Sequence, residues 1–282
     1  MPDRPSHHDD PDAASIPAAS PIAPVGQARP ITTGGLLMRP PHPMHLWPAS
    51  RPATWLDLGM FLVGLVASLL VLAILATLIT WLAVDLDRRM LTVLLIPIQA
   101  LLWLGVVALI LKQRRQPAAS LGWVRVTALD LPLGLAATAA AFTAFFLSVG
   151  ILALVWPAGF EDLQNNQQAI TEMLPPLHPA LLIGLQIVVG IYEELIFRGF
   201  LLTRLRRALG CWWLAAGISS ALFALPHIIE QRPVAAIPLF GVGLAFCLFT
   251  IWRRSLLPAI IGHALFNSIM LMGIYLTNRD WT

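Results

Sequence analysis

The stretch Ile-Val-Val-Gly-Ile-Tyr-Glu-Glu-Leu-Ile-Phe-Arg, residues 187–198, places two adjacent carboxylates inside an otherwise apolar segment. An ionisable side chain at the centre of a membrane-spanning helix costs at least about 2.5 kcal/mol, so such residues are rarely present without a use. Two further apolar runs contain His227 and His263, and Asn267 follows His263 by one helical turn. These residues predict a polar site inside a bundle of membrane helices.

The composition predicts an all-α, polytopic membrane helix bundle. Hydrophobic residues make up 57% of the chain and charged residues only 12%, which is typical of an integral membrane protein. Several apolar runs reach the roughly 20 residues that a helix needs to span a bilayer. The basic residues stand beside these runs, which indicates membrane topology rather than binding to nucleic acid.

The chain divides into three predicted regions. Residues 1–50 are rich in Pro, Ala, Ser, His and Asp without apolar periodicity, so we expect a disordered, Pro-rich cytoplasmic tail. Residues 51–178 are expected to form the N-terminal transmembrane helices, and residues 179–276 the membrane core that carries the polar site. About seven transmembrane helices are predicted, at approximately 58–84, 90–111, 131–156, 179–198, 211–229, 234–252 and 256–276.

The distribution of basic residues predicts the orientation. Loops that carry an excess of Lys and Arg stay in the cytoplasm. Such residues precede the first span and follow the second, fourth and sixth: Arg39, Arg51, Lys112, Arg114, Arg115, Arg125, Arg204, Arg206, Arg207, Arg253 and Arg254. With seven spans, a cytoplasmic N-terminus puts each of these loops inside, and we expect a bacterial plasma membrane. Residues 199–209 fit either an interfacial helix or an extension of the fourth span.

Helical spacing pairs several of the polar residues. Glu194 and Arg198 are four residues apart and can form an ion pair, which by itself is equally well explained as a structural anchor. Glu193 lies about 100° around the helix and is expected to face elsewhere. Its i+4 residue is Phe197 rather than an arginine, which suits a general base.

The two histidines also have candidate partners on their own helices. Phe223 and His227 share a helix face, and Pro226 is expected to bend the helix there. His263 and Asn267 can point into one cavity, although an asparagine in a membrane helix can equally serve helix packing. Taken together, one carboxylate, two imidazoles and an amide would supply a base and hydrogen-bond donors for hydrolysis.

These residues resemble the motifs of a known family. Glu193-Glu194-x-x-x-Arg198, Phe223-x-x-x-His227 and His263-x-x-x-Asn267, in that order, look like the three motifs of the CPBP family. This group comprises CAAX prenyl protease type II, Abi-like and bacteriocin-processing proteins. The resemblance covers about residues 179–275.

The resemblance implies an intramembrane glutamic endopeptidase that needs no cofactor and no metal. By motif match, Glu193 would activate water and His227 would help to hold it, while His263 and Asn267 would form the oxyanion site. Three supporting residues are also implied, namely Glu194, Arg198 and Phe223. The partners would be a peptide or protein substrate at the membrane and the lipid bilayer.

Two alternatives remain open from the sequence, a zinc-dependent membrane protease and a non-catalytic membrane immunity or partner protein. One geometric difficulty also stands. The predicted spans place His263 about 10 Å from the cytoplasmic end of its helix but His227 about 24 Å from the end of its own. The two histidines can share a site only if tilt, a re-entrant start or different helix boundaries bring them level.

Overall fold

The computed structural model describes residues 51–82, 87–123, 126–173, 177–230 and 232–277, and the predicted tail over 1–50 lies outside them. Ten α-helices with one π-helical and two 3₁₀ segments make up this part of the chain. The α-helices are α1 (Arg51–Leu82), α2 (Arg88–Gln113), α3 (Asp130–Val155), α4 (Pro157–Met173), α5 (Pro179–Glu194), α6 (Leu202–Leu209), α7 (Trp212–Ala224), α8 (His227–Glu230), α9 (Ala236–Arg253) and α10 (Leu257–Thr277).

The predicted fold class, an all-α polytopic membrane bundle, is confirmed. Within the described residues, six helical stretches are long and apolar enough to cross a membrane: Arg51–Leu82, Arg89–Gln113, Asp130–Val155, Pro179–Leu209, Pro233–Arg253 and Leu257–Thr277. Their outer faces expose large apolar side chains such as Leu62 and Val63, as expected of surfaces that meet lipid. The protein is therefore an integral membrane protein.

The predicted fifth span, 211–229, is the exception. Only Trp212–Ala224 is a continuous α-helix, of 13 residues, or about 20 Å long, against the roughly 30 Å of a bilayer core. The helix stops before Pro226, because proline lacks the backbone N–H and clashes with the preceding turn. The chain then continues through the short α8, which starts at His227.

The predicted fourth span, 179–198, is longer than expected. Helical structure runs from Pro179 to Leu209 without a break, so the extension anticipated for 199–209 is what forms. Its middle is π-helical over Leu195–Leu201, here called the π segment. The helix ends at Gly210, whose φ of 76° lies in the left-handed region that favours glycine.

The last helix, α10, is the centre of the bundle. It packs against α3, α5 and α9, while α7 packs against α9 and α6, and α1 against α2 and α6. One apolar core joins α1, α2 and α5 to α7 through side chains such as Trp103 and Phe200. A second core around Phe246 and Phe266 joins α3 to α9 and α10.

Three predicted basic turns meet at one end of the bundle. The backbone N–H of Leu256, before α10, donates to the carbonyl of Gly122, after α2, at 3.2 Å. A Cβ on Gly199 would lie 2.9 Å from the Leu121 carbonyl oxygen and 3.1 Å from the Leu256 side chain. Three chain segments therefore pack on one another: the turn after α2, the π segment and the residues just before α10.

This packing explains how the two histidines can be level. The start of α10 lies beside Gly199, whereas α7 begins only after Leu209. The intervening ten residues of helix amount to about 15 Å. Since α7 starts that much nearer the end of the bundle, His227 needs a longer run of helix than His263 to reach the same depth.

The connection between α3 and α5 is formed largely by helix α4, which has 17 residues. It packs against α3 and against the 3₁₀ turn Pro233–Ala235. An ion pair between Asp162 and Arg232 ties the two together.

Candidate active site

The ion pair predicted between Glu194 and Arg198 is present. Arg198 Nη1 donates to Glu194 Oε1 at 2.7 Å, and both side chains are completely buried. Arg198 Nη2 also donates to the Gly243 carbonyl of α9 at 3.1 Å. Its guanidinium carbon lies 4.5 Å from the centroid of the Phe223 ring. The arginine therefore links α5, α7 and α9.

The π segment is what carries Arg198. Leu202 N–H donates to the Phe197 carbonyl, five residues back, instead of four as in an α-helix. The same carbonyl accepts from Ser219 Oγ of α7 at 2.7 Å. The wider turn is thus held by a side chain from a neighbouring helix. Such π turns are frequently found at functional sites.

His263 inserts between the two glutamates. Its Nδ1 donates to Glu194 Oε1 at 2.8 Å, and its Nε2 lies 3.6 Å from Glu193 Oε2. Glu193 was expected to face a different direction from Glu194, yet both carboxylates lie beside the same imidazole ring. Although neighbouring residues diverge by about 100° on a helix, the two nitrogens of an imidazole lie on different edges of the ring, so one ring can meet both carboxylates.

Two glycines allow close helix packing around this contact, Gly190 where α5 meets α10 and Gly262 where α10 meets α3 and α9. A Cβ on Gly190 would lie 3.0 Å from the backbone nitrogen of Ala264. A Cβ on Gly262 would lie 2.8 Å from Ala137 Cβ and 3.2 Å from the Phe246 ring. The role of Gly190 was not predicted from the sequence.

Aromatic rings surround the buried imidazole. Phe246 stacks on His263 with 5.1 Å between ring centroids, and Phe223 contacts it edge-on at 5.6 Å. The Phe223 ring also contacts the His227 ring, with 5.5 Å between their centroids. Both histidines thus touch one ring. Phe223 packs in the site as its motif position implies, while Phe246 was not predicted.

His227 is half-buried, and its Nδ1 donates to the Phe223 carbonyl at 3.1 Å. In a neutral imidazole this leaves Nε2 as a hydrogen-bond acceptor. Asn267 is also half-buried, one turn beyond His263 on α10. In the part of the chain that the structure describes, the Asn267 amide makes no hydrogen bond to the protein.

Tyr192 is a site residue that the sequence reasoning missed. Its hydroxyl donates to Glu193 Oε1 at 3.2 Å, and its ring is packed edge-on against Trp103. A tyrosine directly before two glutamates in an apolar run was the available signal, because a buried phenol usually finds a hydrogen-bond partner.

Across the described residues, no group of three His, Cys, Asp or Glu side chains is placed to hold a metal ion. Glu194 and His263 bond to each other through Glu194 Oε1 and His263 Nδ1.

A comparison with protein families found a match over residues 175–269, to the family model for type II CAAX prenyl endopeptidase Rce1-like proteins. This stretch contains all three motifs, so the resemblance to the CAAX-protease group is confirmed. Helices α1 to α4 lie outside the match. Comparisons with curated proteins and with solved structures gave no match.

Proposed function

We propose that the protein is an intramembrane endopeptidase that hydrolyses a peptide bond of a membrane-associated protein or peptide, with Glu193 as the base that activates water. The observation that carries this proposal is the unequal setting of the two glutamates. Glu194 is completely buried and holds Arg198 and His263 with one oxygen. Glu193 is 13% exposed and accepts from the neutral hydroxyl of Tyr192.

Glu193 is the carboxylate better suited to act as a base. A general base must reach water and must exchange its proton during the reaction. The guanidinium and the imidazole that hold Glu194 restrain it, which suits a structural brace. His227, with Nε2 left as an acceptor by its bond to the Phe223 carbonyl, would orient the attacking water.

Glu193 alone can carry out both proton transfers that the proposed hydrolysis needs. Glu193 takes a proton from water, and the water oxygen adds to the carbonyl carbon of the substrate. The resulting oxyanion accepts from the Asn267 amide and from His263 Nε2–H when both ring nitrogens are protonated, while Nδ1–H stays on Glu194. Glu193 then returns its proton to the leaving amine as the C–N bond breaks. Donors aimed at an oxyanion contribute about 3–4 kcal/mol each in known enzymes.

The same proposal extends to location and partners. The arginines at the end of the bundle where α10 begins favour the cytoplasmic side of a bacterial plasma membrane, with the N-terminus also inside. The region 51–178 would form supporting membrane helices and 179–276 the catalytic core, preceded by a disordered tail over 1–50. The substrate would be a peptide within or beside the bilayer.

Glu193→Gln tests this proposal, because it keeps the shape of the side chain and removes the base. We expect cleavage to be abolished while expression and melting temperature stay close to wild type. New N-termini in membrane proteins should disappear when cells carrying the variant are compared with wild-type cells. Glu161→Gln, an exposed position on α4, is the matched control and should leave these N-termini unchanged.

Two results would count against the mechanism. Identical N-termini in cells with wild-type protein and with Glu193→Gln would favour a non-catalytic partner or immunity protein. Loss of the wild-type activity in a strong chelator, with recovery on adding zinc, would favour a zinc-dependent protease. Under the proposed mechanism, chelators have little effect.

A further inference from the structure

Arg204 of α6 is a buried charge that the proposed reaction does not use. Its side chain is completely buried. The guanidinium donates to Gln116 Oε1, to Ser120 Oγ at 3.3 Å and to Thr203 Oγ1 at 2.9 Å. A buried guanidinium is unfavourable unless it is paired and fully hydrogen-bonded. Its Nε has no partner within the described structure, so stability alone is a poor explanation for it.

The charges around Arg204 do not balance. Asp57 of α1 is the nearby carboxylate, and it is already bonded by Arg114 Nε at 2.9 Å and by Gln116 Nε2 at 2.8 Å. Gln116 therefore stands between Asp57 and Arg204, donating to Asp57 and accepting from Arg204. Among the described residues, this network holds one carboxylate and two guanidinium groups, that of the buried Arg204 and that of the partly exposed Arg114. A network with an excess buried charge destabilises the fold relative to an apolar equivalent.

What Arg204 contacts is the junction on which α10 begins. On one side it holds Ser120, in the 3₁₀ turn Ala118–Leu121. That turn is followed by Gly122, whose carbonyl accepts from Leu256 N–H just before α10. On the other side Arg204 bonds the Thr203 hydroxyl, which in turn donates to the Gly199 carbonyl of the π segment at 2.7 Å.

Both sides of this junction lead directly to the candidate site. Gly199 is covalently next to Arg198, which holds Glu194. Leu256 directly precedes α10, which carries His263 less than two turns further on. A shift of the turn against the π segment would therefore change the separation of Glu194 and His263, which are in hydrogen-bond contact at 2.8 Å.

We propose that Arg204 is a positioning residue: by clamping the 3₁₀ turn to the π segment, it sets the register of α10 against α5 and thereby the contact of His263 with Glu194. This inference rests on the proposed function for its catalytic meaning. It also gives α1 and α2 a part in the site, because Asp57, Arg114 and Gln116 lie outside the stretch that matches the protease family.

The test is a spectroscopic one that needs no substrate. Full-length protein in lipid nanodiscs is labelled with ¹⁵N-histidine, and the Nδ1–H resonance of His263 is identified by its loss in His263→Gln. In Arg204→Met we expect this resonance to shift or to vanish through exchange with water. The melting temperature should stay at or above that of wild type, because an unbalanced buried charge has been removed. Arg204→Lys keeps the charge but cannot reach both sides, so it should also lose the wild-type resonance.

Arg207→Met is the matched control on the same helix and should leave the His263 resonance unchanged. A folded Arg204→Met protein with a wild-type resonance would overturn the proposal. If that variant does not fold, Ser120→Ala and Thr203→Val each remove one arm of the clamp, and wild-type resonances in both would overturn it equally. Cleavage is measured separately: a wild-type protein without any cleavage activity contradicts the proposed function, whereas the resonance still decides the role of Arg204.

Discussion

Glu193 and Glu194 are chemically identical neighbours, and their surroundings alone separate their proposed roles. Glu194 is bonded by a guanidinium and an imidazole in a completely buried position. Glu193 keeps some exposure and a hydroxyl donor. A carboxylate held by two buried partners is restrained, while a carboxylate that meets water can take a proton from it during a reaction.

This difference predicts the behaviour of Glu194→Gln. The change removes the carboxylate charge beside the buried Arg198 guanidinium, which keeps its contacts with the Gly243 carbonyl and the Phe223 ring. Removing one partner of a buried pair typically costs about 3–5 kcal/mol, so we expect a loss of that order in the free energy of unfolding, measured by denaturant titration in detergent, together with loss of activity. Glu193→Gln should show the activity loss without the stability loss.

A double variant provides the control. Glu194→Gln combined with Arg198→Met removes the stranded charge, so stability should recover towards wild type while activity does not. If Glu194→Gln is as stable as wild type, the prediction that loss of this ion pair leaves an unfavourable buried charge is wrong.

For individual residues, the sequence predicted contacts within one helix better than contacts between helices. The pairing of Glu194 with Arg198 follows from four-residue spacing alone. The contact of Glu194 with His263, 69 residues away, depends on how α5 and α10 are set against each other, which spacing within a helix does not determine. The stacking of Phe246 on His263 was missed for the same reason.

Among the helices, the π segment and the short α7 could not be predicted from the periodicity of apolar residues. An extra residue in a helical turn leaves the apolar pattern almost unchanged, and here the turn is stabilised from outside by Ser219. Pro226 did predict a disturbance in the fifth span, but a bend and an end are both compatible with proline. Residues 199–209 were compatible with either an interfacial helix or an extension of the fourth span, and the continuous helix Pro179–Leu209 is the second of these.

The contact of α5 with α10 predicts the effect of Gly190→Ala. A methyl group there would lie 3.0 Å from the Ala264 backbone nitrogen, and backbone cannot move aside as a side-chain end can. We expect the helices to separate by a few tenths of an ångström, with a cost of about 1–3 kcal/mol and a clear fall in activity. Thermal unfolding and a cleavage assay measure the two effects.

Gly184→Ala is the matched control on the same helix. Nothing lies within 4 Å of a Cβ at that position, and alanine favours a helix over glycine by up to about 1 kcal/mol. We therefore expect unchanged activity and equal or higher stability. Full activity in Gly190→Ala would show that the site tolerates a wider spacing of α5 and α10.

At the scale of the whole molecule, three basic turns that are far apart in sequence lie at one end of the bundle. Ser120 meets Arg204, and Gly122 meets Leu256. Arg253 is buried against Asp130 at the start of α3, with 3.5 Å between Nε and Oδ1. The arginine pattern of the sequence could predict that these turns share a side. It could not predict that some of the arginines are buried structural links, because the rule counts charges and does not place them.

The shared end of the bundle predicts the membrane topology, and single cysteines in the full-length chain can test it. In a background with Cys211→Ser and Cys247→Ala, we expect Arg115→Cys, Arg207→Cys and Arg254→Cys to resist a membrane-impermeant maleimide in intact cells and to react after lysis. Glu161→Cys, on the exposed side of α4, should react in intact cells. The physical reason is that loops rich in Lys and Arg are retained in the cytoplasm. Labelling of any one of the three arginine positions from outside would contradict both the orientation and the crossing of the membrane by the short α7 and its continuation through α8.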